Sequence, residues 1–102
     1  MNLAEYQQQA ERTYQPPANI ENSLVYITWV LGVSAKAGEL SWRVTQLIDE
    51  HDGEMDYQTT LQIMDVMGFI LWNMSQLASE LKINLSDIAV SNLQKVAQLD
   101  NP

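Results

Sequence analysis

Lys36, Glu39 and Arg43 are the residues whose types and spacing first suggest chemistry in this sequence. Steps of three and four residues place all three on one face of an α-helix. There they can form ion pairs worth a few tenths of a kcal/mol each when exposed. Glu39 could instead be a catalytic carboxylate if acids from a facing helix met it. The residues alone favour the ion-pair interpretation.

An acidic stretch, DEHDGEMD at 49–56, is the second candidate for chemistry. It does not fit a calcium-binding loop, because Ile48 would have to supply a ligand. His51 is the one histidine of the chain, and a lone histidine does not make a metal site. The stretch is therefore predicted to be a solvated connection between two helices, with Gly53 at the turn.

The composition limits the classes of partner. The chain has 102 residues, thirteen acids against five bases and a net charge of −8. This balance argues against nucleic acid and against an anionic membrane surface, both of which require many Lys and Arg. The chain contains no cysteine, which excludes disulfides and thiolate metal sites. We expect one soluble, cytoplasmic domain over residues 1–102, since the N-terminus does not read as a secretory signal and the apolar runs are too short to span a membrane.

The elements that must position these side chains are helices. Between Gln62 and Leu81, apolar residues recur in alternating steps of four and three, which is typical of a helix stripe. The members of this stripe are Ile63, Met67, Ile70, Met74, Leu77 and Leu81. A second stripe contains Val66 and Phe69 and leads to Asn73. A helix this apolar is predicted to lie at the centre of a bundle, with Val66 and Phe69 in the core.

The whole chain is predicted to be all-α, a bundle of four to five helices. The predicted helices run from Leu3 to about Thr13, from a start within 19–23 to about Glu50, from about Tyr57 to Leu81, and from Asn84 onward. The predicted N-caps are Asn2, Asp56 and Asn84, the last with Asp87 in a capping box.

Small and aromatic residues predict close packing between helices. Gly32 and Gly38 lie inside the long second helix, where each glycine costs about 1 kcal/mol relative to alanine. Close approach of another helix is the expected reason for both. Three tryptophans at helical positions, Trp29, Trp42 and Trp72, are predicted to be in a core or an interface. Because the two long helices are apolar on more than one side, we expect the chain to associate with itself.

Several short segments carry a family resemblance across nearly the whole chain. They are AGEL at 37–40, the spacing from Gly68 to Trp72, LASEL at 77–81 and the closing LSDIAVSNLQKV. In this order, the sequence resembles the MazG-like nucleoside triphosphate pyrophosphohydrolases, an all-α superfamily. The resemblance implies a MazG-like bundle that forms a homodimer or a dimer of dimers, with long helices paired across the homodimer interface.

The resemblance also implies a chemistry. Members of this family cleave nucleoside triphosphates to the monophosphate and pyrophosphate. They hold Mg²⁺ through a Glu-x-x-Glu on the long helix and a Glu-x-x-Asp on the central helix. Asn92 and Lys95 match the closing Asn-x-x-Lys, which lies near the phosphates in relatives.

The sequence departs from the family at the metal ligands. In the matching register, the first pair becomes Lys36 and Glu39, and the second becomes Val66 and Phe69. Three of the four expected carboxylates are therefore replaced. Asp65 adjoins Val66, but one residue of a helix turns about 100° around the axis, so Asp65 does not simply take its place.

Three hypotheses follow, and the sequence leaves open whether the protein is an enzyme. The first is a catalytically silent relative that needs no cofactor and either assembles with itself or binds a nucleotide through Lys36, Asn92 and Lys95. The second is an active, Mg²⁺-dependent pyrophosphohydrolase whose metal has moved to Glu39 and Asp65, with help from a loop acid or a partner subunit. The third is an unrelated structural dimer.

Overall fold

The computed structural model describes residues 1–15 and 24–99, which form four α-helices and no strand. The helices are α1 (Leu3–Arg12), α2 (Val25–His51), α3 (Tyr57–Glu80) and α4 (Leu85–Leu99). The prediction of an all-α chain is confirmed. The predicted start of the second helix, within 19–23, lies outside the described residues. Over the part that is described, no helix combines the length and apolar character needed to cross a membrane.

Two of the predicted caps are confirmed by their hydrogen bonds. Asn2 Oδ1 accepts from the backbone N–H of Glu5 at 2.8 Å, and Asp56 Oδ1 accepts from the backbone N–H of Thr59 at 2.7 Å. Each bond satisfies one of the free donors at the first turn of a helix. The predicted turn is also present, since Gly53 has φ of 79°, a conformation that glycine adopts without strain.

The chain forms two compact units. One comprises Met1–Tyr26 with Ser75–Pro102, and the other comprises Ile27–Met74. The first unit therefore contains α1, α4 and the last residues of α3. The second unit is the antiparallel hairpin made by most of α2 and α3.

In the first unit, glutamine side chains connect the elements. Gln76 Nε2 donates to the backbone carbonyl of Ala10 at 2.6 Å, and both residues are buried. Gln7 Nε2 donates to Ser79 Oγ at 3.1 Å and to the carbonyl of Ile83 at 2.9 Å. These bonds tie α1 to the end of α3 and to the turn after it.

The first turn of α4 is capped differently from the prediction. Gln7 Oε1 accepts from the backbone N–H of Leu85 at 2.7 Å. The side chain of Asn84 instead donates to the carboxylate of Asp87 at 3.2 Å. A capping box would join each of these side chains to a backbone N–H, so the bond between the two side chains is not the predicted one. The side chain that satisfies the N–H of Leu85 comes from α1.

In the second unit, α2 and α3 lie close together at a glycine. A Cβ placed on Gly32 would overlap Oδ1 of Asn73 and lie 2.6 Å from its Cγ. The expected reason for Gly32 is therefore confirmed. Beside it, the rings of Trp29 and Trp72 meet edge to face with centroids 5.3 Å apart. At Gly38 an added Cβ would meet nothing within 4 Å, so the same expectation for Gly38 is wrong within this chain.

The buried side of α3 differs from the predicted one. Val66 is buried, as predicted, but Phe69 is 55% exposed, and its assignment to the core is wrong. Met67 and Leu81 of the first stripe are also more than half exposed. The polar side chain of Asn73 is buried instead, because its Nδ2 donates to the carbonyl of Phe69 at 2.8 Å. A buried amide is tolerated where it has a hydrogen-bond partner.

Candidate functional site

Three of the four residues that the sequence analysis aligned with metal ligands are in contact. Lys36 Nζ lies 3.1 Å from Glu39 Oε2, which confirms the predicted ion pair. The same ammonium lies 5.0 Å from the centre of the Phe69 ring on the facing helix. A cation at this distance from an aromatic face is attracted to it. The exposed ring of Phe69 therefore stabilises the charged side chain of Lys36 from the facing helix.

The alignment of α2 with α3 places Val66 at the same level as these three residues. The Lys36–Phe69 contact is followed by a hydrogen bond from Arg43 to Gln62 on the same pair of helices. In an antiparallel pair, a residue between Lys36 and Arg43 faces one between Phe69 and Gln62. Glu39 is therefore level with Val66. We call Lys36, Glu39, Val66 and Phe69 the Lys36 cluster.

The Lys36 cluster does not fit Mg²⁺. The ion prefers several oxygen ligands in octahedral geometry, and the cluster offers one carboxylate, which already pairs with an ammonium. Valine and phenylalanine have no atom that can ligate a hard cation. Throughout residues 1–15 and 24–99, no three His, Cys, Asp or Glu side chains form a group that could hold a metal ion.

This finding bears on the re-sited metal centre. Asp65 is exposed on α3, next to Val66. The predicted alternative needs Glu39, Asp65 and a third acid from the loop or a partner subunit. Within the described part of the chain, the acids of residues 49–56, which lie at the end of α2 and in the loop after it, do not complete such a trio. This alternative therefore requires that a partner subunit supply the third acid.

Arg43 has a different partner from the predicted one. Its Nη1 donates to Gln62 Oε1 at 3.3 Å, and its guanidinium carbon lies 5.0 Å from the centre of the Trp42 ring. The predicted pairing of Arg43 with Glu39 is therefore wrong, because the side chain turns toward α3 and the neighbouring ring. Trp42 is half exposed, in contrast to the buried Trp29.

The other predicted nucleotide-binding residues lie on α4. Asn92 and Lys95 line an open pocket of about 470 Å³ in the first unit, together with Ile83, Asp87 and Ile88. Lys36 belongs to the second unit. Nucleotide binding by Lys36, Asn92 and Lys95 stays a prediction.

The loop between α2 and α3 contains an ionic contact at its base. His51 Nε2 lies 3.7 Å from Asp56 Oδ2. The backbone N–H of Thr59, which donates to Asp56, is the main cause that lowers the pKa of this carboxyl below its usual value. A hydrogen bond from the Thr59 side chain and the charge of His51 act in the same direction. Asp56 therefore acts here as a helix cap.

We expect this capped carboxylate to contribute to acid sensitivity. Its pKa is lower in the folded chain than in the unfolded chain, so the unfolded state takes up the proton first as the pH falls. The stability that Asp56 contributes is present above about pH 4, the unfolded pKa, and is lost as the pH falls through the folded value. The variant Asp56→Asn keeps a side-chain oxygen that can cap the helix, but its amide does not take up a proton in this pH range.

Urea unfolding between neutral and acidic pH measures this effect. Asp56→Asn is expected to lose less stability on acidification than the parent chain. Asp49→Asn, at an exposed position before the loop, is the matched control and should follow the parent curve. Equal acid sensitivity of the Asp56→Asn variant and the parent would show that this cap does not titrate in the way the geometry implies.

The role of Gln7 and the contact between Trp42 and Arg43 were not predicted from the sequence. The run of three glutamines at 7–9 was visible, but only the first of them reaches Ser79, Ile83 and Leu85. A helix with a thin apolar face and repeated glutamines is the signal that could have suggested docking through hydrogen bonds.

Comparison with known proteins yields one distant relative. The chain is similar to the Gene 37 protein of Mycobacterium phage L5, with 29% identity over 73 residues. The match covers 72% of this chain and 62% of that protein, so the chain spans about three-fifths of the length of the relative. No protein-family model matches the chain, and no solved structure matches it.

Proposed function

We propose that this protein is a MazG-like helical module that lacks the metal chemistry of that family and works by assembling with a second copy of itself. The Lys36 cluster is the observation that carries the proposal. In the register that the resemblance implies, an ammonium, a valine and an aromatic ring stand at three positions where the family has carboxylates. The single remaining acid, Glu39, is paired at 3.1 Å.

Electrostatics argues against a divalent cation in the cluster. A metal ion bound to Glu39 would have to displace Lys36 and then remain close to it, because α2 carries the two side chains on the same face. Like charges at such distances repel. The ion pair is about one-third exposed on each side and the contact with Phe69 is weak, so together they stabilise the hairpin by on the order of 1 kcal/mol.

Metal-free nucleotide binding is less well supported than assembly. The carboxylate of Glu39 lies 3.1 Å from the Lys36 ammonium, and its negative charge would repel a phosphate that approached the same lysine. The net charge of −8 also opposes a polyphosphate.

The second unit has more exposed apolar surface than a monomer needs. Large apolar side chains at least 37% exposed are found on both helices of the hairpin, at Val30, Leu31, Trp42, Val44, Met64, Met67, Phe69 and Leu71. Single exposed apolar residues are ordinary, but a concentration of them on two adjoining helices marks an interaction surface.

Two glycines favour a second copy as the occupant of that surface. Gly38 and Gly68 lie inside α2 and α3, are exposed, and have open space where a Cβ would be. Each costs the helix about 1 kcal/mol relative to alanine, and neither is explained by packing within its own hairpin. Close approach of another helix would explain both, and a symmetric dimer supplies such a helix without another gene product.

We expect light scattering to show a dimer or a larger assembly at micromolar concentration. Gly68→Gln should shift the equilibrium toward monomer, because the longer side chain prevents close approach while a free hairpin accommodates it. Ala4→Gln, at an exposed position of α1, is the control and should leave the mass unchanged. A clean monomer for the parent chain would overturn assembly as its function.

A further inference from the structure

The second half of α4, in the first unit, exposes an apolar face to solvent. α1 packs against α4, and Leu85 at the start of α4 is buried, but every residue from 90 to 99 is exposed. Val90, Leu93 and Val96 are 55%, 68% and 44% exposed. The apolar side of this helix therefore extends beyond the part that its own unit covers.

The pattern of this face is symmetric about Leu93. Residues 89–97 are AVSNLQKVA, in which an alanine, a valine and two polar residues stand on each side of the leucine. At about 100° per residue, the apolar side chains fall within an arc of about 120° centred on Leu93, and the polar ones lie outside it. We call Ala89, Val90, Leu93, Val96 and Ala97 the α4 face.

A second copy of the same helix, in antiparallel orientation, matches the α4 face. In a two-fold contact, residue i touches residue j of the partner and residue j touches residue i. With the two-fold axis at Leu93, this leucine meets its own copy, and each valine lies against an alanine or a valine of the partner helix. Large and small side chains then alternate across the contact, as the packing of helix ridges into grooves requires.

Charge also favours a copy of this chain as the occupant. The net charge of −8 makes two copies repel each other over most surfaces. Between Ile88 and Leu99, Lys95 is the one ionisable side chain, and it lies about 160° around the axis from Leu93. Asp87, the nearest acid in the sequence, lies about 120° from Leu93. The contact therefore brings no acid against another acid, and it offers a basic partner no ion pair.

We propose that the α4 face binds the same face of a second copy in an antiparallel two-fold contact centred on Leu93. This contact gives the proposed assembly a second surface and rests on that assembly. One helix crossing buries much less than the roughly 800 Å² per partner of a standard interface. Association through the hairpin compensates for the small area, because it raises the effective concentration of one α4 face near another.

Disulfide cross-linking tests this contact directly, because the chain contains no cysteine of its own. Leu93→Cys places a thiol on the two-fold axis, where two helices in contact bring their Cα atoms to about 5 Å. A disulfide can span Cα atoms up to about 7 Å apart. Under mild oxidation, we expect Leu93→Cys to form a covalent dimer on a non-reducing gel.

Two control variants test the face and the direction of the helices. Ser91→Cys is exposed on the opposite side of α4 and should form the dimer at least about tenfold more slowly, since its thiols lie outside disulfide range. Ala97→Cys lies on the same face, but antiparallel helices separate its two copies by about 12 Å along the axis, so it should be equally slow. Circular dichroism establishes that each variant is folded.

Light scattering of the parent chain separates this contact from the proposed assembly. If the parent assembles but Leu93→Cys links no faster than Ser91→Cys, the assembly stands, and the α4 contact is overturned in favour of a different partner for this face. Equal linking of Leu93→Cys and Ala97→Cys would indicate parallel helices and would also overturn the contact. A monomeric parent would overturn the assembly and the α4 contact together.

Discussion

Replacing Gln7 with alanine is expected to lower the free energy of unfolding by about 2–3 kcal/mol, the sum of several lost hydrogen bonds and the groups they leave unpaired. The amide of Gln7 donates to Ser79 Oγ and to the carbonyl of Ile83, and it accepts from the N–H of Leu85. Without it, the first turn of α4 loses its side-chain acceptor. Urea unfolding followed by circular dichroism measures the change.

The neighbouring glutamine supplies a matched control for this prediction. Gln9 lies in the same helix and the same run but is exposed. Gln9→Ala should change stability by no more than about 0.5 kcal/mol, as is usual for a surface substitution. If Gln7→Ala and Gln9→Ala were equally mild, the docking of α1 would not depend on this amide.

Gly32→Ala is expected to destabilise the protein by about 2–3 kcal/mol, near the upper end of the range for overpacking in a core. The added methyl group would overlap the side chain of Asn73, which is 7% exposed and hydrogen-bonded to the carbonyl of Phe69. Moving Asn73 aside would break that bond in a buried place. The two helices would have to separate, or the amide would have to lose its partner.

The same substitution at a second glycine of the same helix should change the free energy of unfolding in the opposite direction. At Gly38 a Cβ meets nothing within 4 Å, so Gly38→Ala should raise the free energy of unfolding by up to about 1 kcal/mol through helix propensity. Both variants are compared by thermal unfolding in dilute solution, where association does not contribute. Equal effects at Gly32 and Gly38 would contradict the close approach seen in the hairpin.

The helices and two of their caps could be predicted because their signals are local. Asn2 and Asp56 act within three residues of themselves, and Gly53 sets its own turn. The Lys36–Glu39 ion pair was predictable for the same reason, since its spacing on one helix fixes the contact.

The buried face of α3 could not be predicted from periodicity. This helix is apolar around most of its circumference, so Val66 and Phe69 were equally suited to the core, and only the position of α2 separates them. Gln76 is buried because its partner is the carbonyl of Ala10, 66 residues away. No pattern within α3 contains that information.

The partner of Arg43 was unpredictable for a similar reason. Glu39, four residues earlier on the same helix, and Gln62 on the facing helix are both chemically suitable. The choice between them depends on how α2 and α3 are aligned.

Release of pyrophosphate from nucleoside triphosphates, with and without Mg²⁺, is the most direct test of the claim that the Lys36 cluster has replaced a metal centre. The purified protein and its Glu39→Gln variant are compared with buffer alone. We expect no turnover above the buffer rate for either protein, with or without Mg²⁺. Turnover that requires Mg²⁺ and disappears in Glu39→Gln would contradict this account.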